Sequence, residues 1–110
     1  MNEEIKKYLQ DILDALTSVE QFTTGVTSFY QYRDNLMMKA AVERKLEIVG
    51  EAMNKASRLA PDLEISSKQK IISLRNRIIH AYDAVDDILI WEVVQKHLPV
   101  LKQDVSNLLN

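Results

Sequence analysis

The chain has 110 residues, a formal net charge of −2 and no cysteine. That fits one domain over residues 1–110, and it excludes disulfides and cysteine-held zinc. The slight acidity excludes a globally basic nucleic-acid binder, so any RNA contact has to be local.

The N-terminal stretch MNEEIKKYLQDI is charged and lacks the apolar core of a secretory signal. No apolar run approaches the roughly 20 residues of a membrane span. A soluble, cytoplasmic protein is therefore expected. Only two glycines and two prolines interrupt the chain, and apolar residues recur at helical spacing almost throughout. The reading is all-α: an antiparallel up-and-down bundle of four main helices with a short fifth segment.

The first helix is expected from Asn2 to about Thr23. Asn2 can cap it, and Glu3 and Glu4 suit its positive first turn. Ile5, Leu9, Ile12, Leu13, Leu16 and Val19 form its inward stripe. Gly25 stands just past its end, where a left-handed residue often closes a helix. A single helical turn is expected after Ser28. Asp34 is read as the cap of a second main helix from Asn35 to Leu59. Leu36, Met37, Ala41, Ile48, Val49, Ala52, Met53 and Ala56 form its apolar arc. Glu43, Glu47 and Glu51 make a stripe at four-residue spacing that reads as a solvated face. Lys45 falls within the apolar arc without an evident reason. Gly50 costs the helix roughly 1 kcal/mol against alanine, which points to a close contact with another helix.

After the loop around Pro61, Ser66 and Gln69 have the spacing of a capping box, so the third main helix is expected to start there and end near Asp83. Asp86 caps a fourth, DILIWEVVQKH, and Pro99 should kink or restart the chain into its terminal segment.

The third helix carries SLRNRIIHAYDAV, residues 73–85. Its stripe is read as Ile71, Ile72, Ile78, Ile79, Tyr82 and Val85. With Ile71 at zero on a helical wheel, Arg75 falls at about 40°, inside that stripe, and Tyr82 at about 20°. Asn76, Asp83 and His80 follow at about 140°, 120° and 180°, while Arg77 points away at about 240° and reads as solvated. An unpaired buried arginine would cost several kcal/mol. Arg75 therefore needs either an internal ion pair, with its stem packed and its head reaching water, or a cleft in which a phosphate is the partner.

His80 adds a group that moves protons near neutral pH, and an arginine can stabilise charge on a phosphoryl group. Together they are a minimal set for cutting RNA without a metal. On an ideal helix the two diverge by about 140°. A symmetric dimer would bring two of each into one cleft. Metal binding has little support, because His80 and His97 lie on different expected helices and no His-x-x-x-His or Glu-x-x-His spacing exists.

The stretch RNRIIHAY is similar to the arginine–x4–histidine–x–tyrosine signature of HepT-like toxins, in the HEPN superfamily. YLQDILDALTSVEQFTTG resembles the family's opening helix. AAVERKLEIVGEAMNKAS resembles its second signature, with the triplet Gly50, Glu51 and Ala52, and WEVVQKHLPVL resembles its closing segment. The resemblance implies an all-helical homodimer whose motifs share a cleft, and a metal-independent ribonuclease with no cofactor acting on an RNA substrate. By carry-over, Arg75 and His80 are the catalytic pair and Asn76 supports them. The resemblance also implies a toxin paired with a minimal nucleotidyltransferase antitoxin, which transfers AMP from ATP to Tyr82. Two other readings stay open on the residues alone: a non-catalytic docking subunit of a nucleotidyltransferase, and a structural bundle with Arg75 in an internal ion pair.

Overall fold

Helix α1, Glu3–Phe22, starts where the side chain of Asn2 accepts from the Ile5 N–H at 2.8 Å. This is one face of a computed structural model that describes residues 1–66, 68–80 and 86–110. α1 ends on Thr23, and Gly25 follows with φ of 81°, a backbone conformation that glycine enters without steric cost. α2, Phe29–Arg33, is a short helix held by a capping box in which Ser28 and Gln31 satisfy each other's backbone N–H groups. α3 runs Leu36–Leu59, α4 Lys68–His80, α5 Asp87–Glu92 and α6 Leu98–Leu109. Among the described residues there is no strand.

α1 and α3 lie antiparallel, with Tyr8 beside Lys55 and Ile5 near Leu63. α4 packs on α3, and α6 returns along α1, where Lys102 pairs with Glu20 at 2.9 Å. The core forms where the inward stripes meet. Leu9, Ile12 and Leu16 of α1 face Val42, Leu46, Val49 and Met53 of α3, and Ile71, Ile90 and Leu101 close the space. Tyr32 is fully buried and stacks on Trp91 with ring centroids 5.6 Å apart. No helix among the described residues is long and apolar enough to cross a membrane.

Asp86 caps α5 by accepting from the Ile88 and Leu89 N–H groups. Pro99 acts as expected, through a specific device. Five residues before it, Val93–His97, form a π turn, and the Leu98 N–H donates to the Val93 carbonyl. Proline has no N–H and its ring crowds the carbonyl four residues back. The wider turn accommodates both, and α6 begins with Pro99 in its first turn.

Three expectations need correction. Asn35, not Asp34, caps α3, accepting from the Met38 N–H at 3.0 Å. Asp34 instead ends α2 and pairs with Arg33 at 2.8 Å. The inward stripe of α3 accordingly runs through Met38, Val42 and Leu46, which leaves Leu36 75% and Met37 85% exposed. α4 is described from Lys68, and the expected start at Ser66 runs through residue 67, which lies outside the described residues. The Ser66 N–H donates to the Asp104 carboxylate at 2.8 Å, which fixes it to α6. The buried stripe of α4 is Ile71, Leu74 and Ile78, whereas Ile79 is 39% exposed. The expected end of this helix near Asp83, with Tyr82 and Val85, lies outside the described residues.

Candidate active site

At Gly50 and Arg75, α3 and α4 approach closely. A Cβ on residue 50 would lie 2.2 Å from the Arg75 Cβ, 2.8 Å from its Cγ and 3.2 Å from the Ile71 carbonyl oxygen. Only glycine leaves room for the arginine stem there. The contact expected of Gly50 is therefore with the very residue that interrupts the apolar stripe. Arg75 is half-buried, its stem packed against the α3 backbone.

The polar end of Arg75 reaches a neutral partner. Its Nη1 donates to Asn76 Oδ1 at 3.0 Å. Its Nε is buried with no hydrogen-bond partner among the described residues. Among those residues no carboxylate lies within ion-pair distance of the guanidinium. The structure thus brings Arg75 and Asn76 together. His80 is the last residue of α4. Its side chain, and all of Tyr82, lie outside the described residues.

A second polar cluster sits where α2, α3 and α5 meet. Lys39 Nζ and Asp87 Oδ2 are 2.7 Å apart, both mostly buried, and join residues 48 positions apart in the chain. Glu43 is half-buried beside them. Burial, with a smaller contribution from Asp87, raises its carboxyl above the usual range. Burial also raises the Tyr32 phenol, whose hydroxyl has no partner among the described residues. The glutamate stripe is therefore not one solvated face. Glu43 and Glu47 are half-buried, and only Glu51 is exposed, where it pairs with Lys55 at 3.3 Å. No local pattern announces the Lys39–Asp87 bridge, because nothing before folding relates the two positions. Lys45 is half-buried, and nothing in the structure explains it. Among the described residues, no three histidine, aspartate or glutamate side chains gather closely enough to hold a metal.

Comparison with known proteins shows the family. The family model "Ribonuclease HepT-like" matches residues 12–108. A Methanocaldococcus jannaschii protein that carries an RNase name is 33% identical over 107 residues, spanning 94% of each chain. A Thermococcus cleftensis protein named for ribonuclease HepT is 34% identical over 106 residues, spanning 93% of each. A solved structure of a tri-AMPylated HEPN toxin from Shewanella oneidensis, in complex with MNT antitoxin, matches 98% of each chain. Its TM-score is 0.75 at 20% identity, which speaks to the fold. This chain belongs to the HepT-like ribonuclease family.

Proposed function

We propose that the protein is the ribonuclease toxin of a toxin–antitoxin pair, cutting RNA by attack of a ribose 2′-OH without a metal. The observation that carries this reading is Arg75. Its stem is seated on Gly50, and its guanidinium has no acidic partner among the described residues. A charge with no counter-ion among the described residues suits an incoming phosphate.

In the proposed reaction a base takes the 2′-OH proton, and the 2′-oxygen bonds to the adjacent phosphorus. The bond from phosphorus to the 5′-oxygen breaks, and an acid protonates the leaving oxygen. The products are a 2′,3′-cyclic phosphate and a 5′-hydroxyl. His80 moves the protons, Arg75 donates to the non-bridging phosphoryl oxygens, and Asn76 orients Arg75 through Nη1. One histidine cannot start as both base and acid, so a homodimer with both motifs in one cleft completes the set.

The partner proposed is a minimal nucleotidyltransferase antitoxin, and Tyr82 is proposed as its AMP acceptor. The support is the likeness to an AMPylated toxin in complex with MNT antitoxin. An added AMP would place bulk and negative charge two residues from His80 and oppose RNA. Intact mass after co-expression with the neighbouring gene's product reads this directly.

The test of the reaction is RNA cutting by purified protein in EDTA, with the new ends mapped. Cyclic phosphate or 3′-phosphate ends are expected. If cutting requires an added divalent ion, the metal-free mechanism is wrong. If clean protein cuts nothing but stays bound to the neighbouring nucleotidyltransferase, the docking-subunit reading replaces this one.

A further inference from the structure

Behind the motif, on the side of α4 that faces α5 and the π turn, lies a groove of about 240 Å³ lined by Lys70, Ser73, Leu74, Arg77, Leu89 and Val93. We propose that this groove is a second RNA subsite, which holds a phosphate and base of the strand flanking the scissile bond. The inference rests on the ribonuclease reading and extends it from the cut site to the strand beyond.

Charge is the first argument. Lys70 and Arg77 are exposed, and among the described residues no carboxylate lies within ion-pair distance of either. Lys6, Lys7, Arg33, Arg44, Lys55 and Lys102 all pair with acids, and although Lys45, Arg58 and Lys68 are also in no ion pair among the described residues, only Lys70 and Arg77 line this groove. Lys70 Nζ instead lies 3.2 Å from His97 Nε2. A chain with net charge −2 has thus left two cations of one groove uncompensated. That is the local basic patch an acidic RNA-binding protein requires.

Shape is the second argument. Lys70 and Arg77 stand about 10 Å apart along α4 and share one of its faces. Between them the Ser73 hydroxyl can serve a phosphate or a sugar, and Leu74, Leu89 and Val93 form an apolar floor against which a base can lie flat. Position is the third. On an ideal helix, position 77 is about 60° around α4 from position 80 and one turn before it. A strand leaving the His80 end of α4 therefore meets Arg77 first and Lys70 further on.

The test titrates a non-cleavable, 2′-O-methylated oligoribonucleotide against the parent, K70Q/R77Q and a charge-matched control, K6Q/K7Q, over a series of salt concentrations. K70Q/R77Q should bind about ten-fold or more weakly than the control. Its dependence of log K on log salt should be shallower by about 1.4, from two phosphate contacts at about 0.7 each. Equal affinity and slope in K70Q/R77Q and the control overturn the proposal, as does absence of binding by the parent. The proposal also fails if RNA binding is unchanged but K70Q/R77Q no longer retains the nucleotidyltransferase, since the groove is then a protein site. Cutting of a dinucleotide, too short to reach the groove, should be equal in parent and K70Q/R77Q. If the parent cuts neither dinucleotide nor longer RNA, the ribonuclease reading falls, and the titration still decides the groove.

Discussion

An arginine in a buried stripe is costly unless its polar end escapes or finds a partner. Arg75 does so only in part: Nη1 reaches Asn76, while Nε is buried without an acceptor among the described residues. The glycine opposite makes this possible. Gly50→Ala would gain the helix roughly 1 kcal/mol of propensity, but its Cβ would overlap the Arg75 Cβ and Cγ. These atoms lie at the root of the side chain and cannot swing aside, so the helices must separate, at a typical overpacking cost of about 1–3 kcal/mol. Gly50→Ala is expected to lower stability in urea denaturation and to slow RNA cutting by displacing Arg75. A more stable variant with full activity would show that the two helices yield freely here. Both residues were conspicuous in the sequence, one as a charge among apolar neighbours and the other as a glycine inside a helix. That they answer each other was not legible, because they lie on different helices and only packing brings them together.

At the scale of elements, signals within one helical turn translated well. Asn2, Ser28 and Asp86 cap as their spacing implies, because a cap depends on a partner two or three residues away. The failures came where another partner competes. Asp34 and Asn35 could both cap α3, and the pairing of Arg33 with Asp34 resolves the choice. The glutamates looked solvated because the approach of α5 to Glu43 cannot be read from α3 alone.

That approach has a pH consequence. The folded-state pKa of Glu43 is raised, chiefly by burial. Below the unfolded carboxyl pKa the group is protonated in both states and costs nothing. As pH rises through the folded value, ionisation is harder in the fold than in the unfolded chain, and stability is lost. Glu43→Gln removes that loss. It should match the parent in acid and exceed it at pH 7, by no more than about 0.5 kcal/mol because a half-exposed charge is screened. A less stable Glu43→Gln at pH 7 would mean that attraction to Lys39 outweighs the cost of burial.

The whole molecule is a thin slab, 42 × 29 × 18 Å, and so small a chain can bury only a limited core. Leu36, Met37, Ile79 and Ile88 remain exposed. Ile79 matters most, since it precedes His80 on α4 and would lie within the proposed shared cleft. Ile79→Asp is expected to convert a dimer to monomers in sedimentation and to reduce cutting with it. A dimer unchanged by Ile79→Asp would place the subunit contact elsewhere.

The central claim is that Arg75 is held for chemistry and not for the fold, and Arg75→Ala tests it by measuring stability and RNA cutting on the same preparation. With no carboxylate among the described residues stranded by the change, unfolding free energy should fall by about 1 kcal/mol or less. Cutting should fall by about 100-fold or more, the scale of losing a charge-stabilising donor in a reaction. A loss of about 3–5 kcal/mol, the cost of breaking a buried ion pair, with cutting reduced only in proportion to the unfolded fraction, would contradict the account and return Arg75 to a structural role.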